Sequence, residues 1–268
     1  MSKINKVIYS ILIILVVLFI ILIIKDNFNK KAYSKEYNYF DEITIITIYK
    51  NNNDIFKKID SLYKEYEQLI NNLEDDNLKD LYYIENNDSN DTYITINKKL
   101  YNMIQYGLDI YTVTNGNIDI SKDNYSDESQ IKKIVLGDNY TILNNHIHIN
   151  LNEIKEEYLN LQVEKLLKEN NIRKYIINMD DTILVSSTGL KTGIPDPGNE
   201  LSIIKTVDIS NKCISTVNNM NEANYKSVTV QSKSNCESLA KMIMLDNDID
   251  ITKLDAKVTI YTKNKKFV

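Results

Sequence analysis

Few residues in this chain are of types that do chemistry, and their spacing narrows what they can do. His146 and His148 are the two histidines. They alternate along a segment that reads as a strand, so both side chains leave one face. Two imidazoles on one face are half of a metal site, and a structural zinc site takes four ligands. No third ligand stands at a usable spacing, which favours an edge or surface strand. Asp180 and Asp181 close one predicted strand and open a tight turn. Paired carboxylates suit a hard cation, and Asp is also a common turn former. Glu153, Glu156 and Glu157 fall in the first turn of a predicted helix, where acidic side chains favour the helix dipole. No Cys–His–Asp or Ser–His–Asp pattern is visible, so nucleophilic hydrolysis has weak support. Cys213 and Cys236 are the two cysteines. A disulfide between them is allowed if they lie outside the cytoplasm. Cys236 also sits on an apolar helical face, where a buried free thiol is the commoner state.

The composition bounds the classes of function. The 268 residues are 43% hydrophobic and 26% charged, which is globular and excludes a wholly disordered, collagen-like or coiled-coil chain. A formal net charge of −5 argues against a nucleic-acid partner, which calls for a basic footprint. With 6 glycines and 2 prolines, a glycine-rich phosphate loop is hard to place. Arg173 is the one arginine among 32 basic residues, and Lys, Asn, Ile and Tyr dominate. That bias lowers the weight of charge runs and Asn clusters as functional signals.

The elements that must position these residues follow from periodicity. Glu42–Tyr49 alternates and is β-branched, as a strand. Ile55, Ile59, Leu62, Tyr66, Leu69 and Ile70 recur at helical spacing from a cap at Asn53 or Asp54. Tyr93–Ile96 reads as a short strand, and Asn97 caps a helix that starts at Lys98. Gly116 suits a positive φ in the turn that follows. Strands are expected over Ile131–Leu136 and Tyr140–Leu151. A helix spans Glu153–Asn170, with Ile154, Tyr158, Leu161 and Leu166 on its apolar face. Strands are expected again over Tyr175–Met179, Thr182–Val185, Leu190–Ile194, Ile203–Ile209, Ser227–Gln231 and Lys257–Thr262, with a helix over Asn235–Leu245. The irregular mixture predicts one α+β domain.

Val7–Ile24 is an apolar run broken only by Tyr9 and Ser10. At about 1.5 Å per residue it reaches roughly 27 Å as a helix, enough for a bilayer core. No small-residue cleavage site follows it, so an uncleaved transmembrane signal anchor is expected. The expected organisation is a tail at 1–6, an anchor at 7–24, a linker at 25–37 and a domain at 38–268. Lys3 and Lys6 precede the span, and Lys25, Lys30 and Lys31 follow it, so charge alone leaves the orientation nearly balanced.

The ordered motifs resemble the ApbE family, the FAD:protein FMN transferases, over about residues 40–262. Thr114–Ser121 (TNGNIDIS) is similar to T-x-G-x-F-D-I-T, and Gly193–Pro197 (GIPDP) to G-I-x-D-P. Ile214-Ser215-Thr216 is similar to the start of I-S-T-S-G. Ser227–Val230 (SVTV) and Glu237–Lys241 (ESLAK) are similar to S-V-T-V and D-A-L-A-T. Ile149–Tyr158 lies where the family has I-D-L-G-G-I-A-K-G-Y, and Ile177–Ile183 where it has V-N-L-G-G-D-I. Both Gly-Gly pairs are replaced here, by Asn152-Glu153 and Asp180-Asp181. Glycine lets a ligand approach the backbone, whereas side chains obstruct it and carboxylates repel a pyrophosphate. The family's H-x-x-D-P segment has no counterpart before Ser227.

The resemblance implies a flavin-transferase-like α+β domain behind one N-terminal transmembrane helix. It implies FAD as substrate and Mg²⁺ as cofactor, with FMN passed to a Thr or Ser of a partner flavoprotein. The cofactor-binding positions it implies are Asp119, Asn152, Glu153, Asp180, Asp181, Ser215 and Thr216. Glu237 occupies a metal-ligand position. Lys155 and Lys241 occupy the other metal positions, where an ammonium offers only donors. The two lysines either replace the metal's charge beside Glu237 or stand at exposed positions through relaxed selection. These departures lead to an expectation of weak or lost catalysis, with a non-catalytic binding module for a flavoprotein or an active homologue as the alternative. The family's habit places the domain outside the cytoplasm on a single-pass anchor.

Overall fold

The β-branched run at Glu42 does form a strand, and the chain before it forms another. A computed structural model of the protein describes residues 31–71, 79–88, 91–122, 128–145, 147–186, 189–196, 199–219, 226–246, 248–262 and 265–267. The anchor expected at 7–24 lies outside the described residues. Among those described, no helix is long and apolar enough to cross a membrane. β1 (Tyr33–Tyr39) pairs antiparallel with β2 (Glu42–Ile48), from Tyr33↔Ile48 to Tyr39↔Glu42. The ordered domain thus takes in residues 33–37, which had been expected as linker. Its polar composition hid a period of two: Tyr33, Lys35, Tyr37 and Tyr39 turn inward, and the buried Tyr37 hydroxyl donates to the Phe56 carbonyl at 2.9 Å.

Helices follow, and the first of them packs on β1. α1 (Asn53–Ile70) buries Ile55, Phe56, Ile59, Tyr63, Tyr66, Leu69 and Ile70, and Asn52 caps it by accepting from the Ile55 amide. α2 (Leu81–Asn86) is a short helix that the sequence did not suggest, capped by Asp80. After β3 (Thr92–Thr95), α3 (Lys98–Val113) starts on the Asn97 cap. Gly116 has φ 83° in the turn beyond it. A single 3₁₀ turn at Ile131–Lys133 and the short β4 (Leu136–Gly137) replace the strand expected over Ile131–Leu136. β5 (Thr141–Asn144) is all that is regular in the segment expected as a strand from Tyr140 to Leu151. α4 (Lys155–Glu169) buries Glu157, Tyr158, Leu159, Asn160, Val163 and Leu167. Its inner face is therefore turned from the expected Leu161 and Leu166 stripe, because it packs against α1, α3 and β6 at once.

The second half of the chain completes the sheet. β6 (Tyr175–Met179), β7 (Thr182–Val185), β10 (Lys212–Asn219), β11 (Lys226–Ser232), β12 (Ala256–Thr262) and β13 (Lys265–Phe267) follow β1 and β2 in one eight-stranded antiparallel sheet. Its order is β1-β2-β6-β7-β10-β11-β12-β13. β8 (Leu190–Asp196) and β9 (Asn199–Ile209) form a separate hairpin. α5 (Cys236–Leu245) lies on β10 and β11, where Leu239, Ala240, Met242 and Ile243 pack on Val228 and Val230.

Cys213 and Cys236 form a disulfide with Cα atoms 5.9 Å apart, which decides between the disulfide and the buried free thiol that the sequence leaves open. The register explains it. Cys213 pairs with Ser232 across β10 and β11, so a chain turning back four residues later sets the first residue of α5 over Cys213. The ring spans 23 residues. Replacing both cysteines with Ser should lower the free energy of unfolding by about 3 kcal/mol, through the freedom returned to the unfolded chain. Urea unfolding followed by circular dichroism checks this, and reduction of the native protein should give the same shift.

Candidate functional site

The corner where α4 meets α5 gathers most of the charged residues singled out above. α5 begins after Asn235, which holds a left-handed φ of 56°, and no local side chain caps the helix. Glu157 of α4 does so instead. Its Oε1 accepts from the Glu237 amide at 3.1 Å, and its Oε2 accepts from the Ser238 hydroxyl and, at 3.0 Å, from the Tyr106 hydroxyl. An anion at a helix N-terminus is stabilised by the free amides and by the dipole. Burial still dominates the titration, and it pushes the Glu157 carboxyl up to about 7 against the pull of those donors.

From the first turn of α5 to the second, Glu237 and Lys241 make an (i, i+4) pair with Nζ 2.8 Å from Oε1. Their side chains are only 4% and 21% exposed, so water screens the pair far less than it would on a surface. The same ammonium lies 3.1 Å from the Glu153 carbonyl oxygen and 3.3 Å from Glu153 Oε2. Burial works against the Lys241 charge, but Glu237, Glu153 and Glu156 overcome it and hold its pKa above the usual lysine range. Glu156 is pushed well above the carboxylate range by burial, by the Glu237 charge and by a hydrogen bond with Glu42. Lys155 turns to Glu42 at 3.3 Å. Of the two lysines expected beside Glu237, it is Lys241 that lies against it.

A cavity of about 400 Å³ opens beside this corner. Ile118, Val217, Met244 and Leu245 give it an apolar wall, and Asn117, Asp119, Lys122, Asn150, Glu153 and Lys241 give it a polar one. That volume falls within the range of small-molecule sites. Asp119 is 7% exposed. Its Oδ1 accepts from the Ser121 amide and hydroxyl at 2.9 and 2.6 Å, while its Oδ2 accepts from no described group.

The other expected ligand positions lie apart from this cavity. Asn152 lines a smaller hollow of about 220 Å³ with Phe40, Asp41, Glu67, Asn71 and Lys155. Asp180 and Asp181 are exposed at the β6–β7 turn, where Asp180 takes the left-handed φ of 44° that glycine favours. The Asp181 carbonyl accepts from the Thr216 amide at 3.2 Å. Ser215 and Thr216 are buried and exchange hydroxyl bonds with Thr182 at 3.0 Å and Thr229 at 2.9 Å. His148 is half-exposed and its Nδ1 lies 2.6 Å from Glu85 Oε1, while His146 is outside the described residues. Among the described residues no group of three or more His, Cys, Asp or Glu could hold a metal ion.

The donor chemistry at this corner does not fit Mg²⁺. An ammonium with no lone pair already stands against the Glu237 carboxylate and the Glu153 carbonyl. The corner can bind and position a ligand, but the cavity lining holds no Ser–His or Cys–His pair to attack one. Sequence reasoning gave Glu157 only a place in the dipole of its own helix, and it did not single out Tyr106 or Ser238. One signal was there: Glu157 falls about one turn after the apolar and fully buried Ile154.

By sequence, no protein-family model and no curated protein matches the chain. By structure, it resembles the flavin transferase ApbE from Vibrio cholerae with a TM-score of 0.69 at 12% identity, over 88% of this chain and 96% of that one. The ApbE protein from Thermotoga maritima gives 0.66 at 11% identity, over 87% and 95%. The Pseudomonas stutzeri flavinyl transferase ApbE in its apo form gives 0.66 at 10%, over 80% and 84%. The chain has the ApbE-like α+β fold.

The clamp on α5 makes stability depend on pH. Folding raises the Glu157 pKa from 4.5 to about 7, so the folded state holds the proton more tightly than the unfolded state does. The resulting stabilisation is complete at pH values below the lower figure and is lost as pH rises through the interval. Glu156 extends the decline to higher pH. The midpoint of thermal unfolding should fall steadily as pH rises from about 4.5 to about 7, and Glu157→Gln should flatten that slope. Glu157→Ala, which leaves buried donors without a partner, should cost about 3 kcal/mol or more at any pH. Thermal unfolding across a buffer series measures both.

Proposed function

We propose that this chain is a membrane-anchored protein of ApbE-like fold in which metal-dependent FMN transfer is weak or lost. It serves as a binding module for a flavoprotein, or for an active homologue, at the outer face of the cell membrane. The observation that carries the reading is the Glu153–Lys241 contact. The resemblance assigns a Gly-Gly pair to Asn152-Glu153. Here Glu153 instead lines the cavity with a carboxylate, and its oxygens hold an ammonium at the position assigned to a metal ligand. A carboxylate at that point repels the pyrophosphate of FAD. The disulfide supports the extracytoplasmic placement, since such bonds persist in oxidising compartments. The apolar run at 7–24 is long enough to supply the anchor.

Titrating the full chain in detergent with FAD, with and without Mg²⁺, tests the reading. Flavin fluorescence reports binding, and AMP is assayed in the same samples. The expected result is no AMP release in either condition, and no gain in affinity on adding Mg²⁺. Metal-dependent FAD binding accompanied by AMP release would mean that the chemistry survives on substituted residues.

A further inference from the structure

The surroundings of Lys241 carry an inference about what holds this corner together. Its Nζ meets Glu237 Oε1 at 2.8 Å, the Glu153 carbonyl at 3.1 Å and Glu153 Oε2 at 3.3 Å. Carboxylate and carbonyl oxygens are the ligands that hard divalent cations take, with water at the remaining positions. Glu237 is 3% exposed, and its Oε2 accepts a hydrogen bond from no described group. A buried carboxylate in that state needs a cation close by. Two further carboxyl groups, Glu156 and Asp181, lie within electrostatic reach of Glu237 and Lys241. Lys155 makes its ion pair with Glu42 instead, at 3.3 Å.

We propose that Lys241 is a built-in cation that stands in for a divalent metal ion, so that the native protein neither needs nor admits one here. Removal of the lysine side chain alone uncovers an oxygen site for Mg²⁺ or Mn²⁺, made by the Glu237 carboxylate with the carbonyl and carboxylate of Glu153. This rests on the reading that metal-dependent transfer is lost, but it is tested with the metal alone and no flavin. An exposed (i, i+4) pair would give no such result, since its partners would take up water when the lysine is removed.

The experiment uses the full chain in nonionic detergent after EDTA treatment. Mn²⁺ binding is read by electron paramagnetic resonance, and thermal unfolding by circular dichroism. The wild type should bind no Mn²⁺ stoichiometrically, and its midpoint should be the same in EDTA and in millimolar Mn²⁺. Lys241→Ala should unfold several degrees lower in EDTA, take up one Mn²⁺ per chain and regain most of that loss. Adding Glu237→Gln to it should abolish the uptake. Stoichiometric Mn²⁺ binding by the wild type overturns the proposal, as does a folded Lys241→Ala that binds none. If Lys241→Ala does not fold without metal, it and Lys241→Thr are refolded with Mn²⁺. Rescue of either supports the proposal, and failure of both overturns it. FAD cleavage by a wild type that binds no Mn²⁺ would remove the functional reading and leave this one standing.

Discussion

The Glu157 carboxylate is the constraint on which the corner depends. It leaves α4 and ends on the amide and hydroxyl that open α5, so two helices joined by groups 80 residues apart share one anion. α4 packs against α1, α3 and β6, while α5 lies on β10 and β11. The bond therefore joins the helical layer to the far half of the sheet. A buried charge of this kind is costly to leave unpaired, and its three donors make up for lost water. Tyr106 brings α3 into the same network. With α5 fixed at its first turn, Glu237 is held there and Lys241, one turn further along, reaches both it and Glu153.

Regular elements with strong periodicity were legible in the sequence, and contacts between distant segments were not. The β-branched run of β2, the apolar spacing of α1 and the Asn97 cap of α3 each express a local preference, and each stands in the structure. β1 was hidden because its inward residues are tyrosines and a lysine rather than aliphatics. β10 was hidden because its buried positions include Ser215 and Thr216, whose partners lie on β7 and β11. The Tyr140–Leu151 segment went the other way. Its apolar alternation continues past Asn144, but only Thr141–Asn144 finds partner strands.

The site was partly legible for the same reason. Motif order led to Glu237, Lys241, Glu153 and Asp119, and the structure puts Glu153 and Lys241 together on the wall that also holds Asp119. Ser215 and Thr216 share the motif signal but spend their hydroxyls inside the sheet. Glu157 lies inside a motif segment, but at a position where the family has Gly, so the motif assigned its carboxylate no role. Its first-turn position in α4 already had an adequate explanation in the dipole of its own helix. Only the tertiary structure shows that the amides it serves belong to another helix.

The two tethers on α5 differ in reach along the chain. The disulfide closes over 23 residues, whereas the bond from Glu157 to the Glu237 amide joins groups 80 apart. The entropy of bringing chain ends together grows with the length enclosed, and remote pairings slow the search for the native state. A cross-link confined to the β10–β11 hairpin and the start of α5 needs nothing from the first half of the chain. Once closed, it keeps the first turn of α5 beside the sheet whether or not the remote carboxylate is in place. With the cross-link intact the long-range bond has a docked helix as its partner, and without it that bond must hold the start of α5 alone, so the redox state of two cysteines bears on a contact neither of them makes.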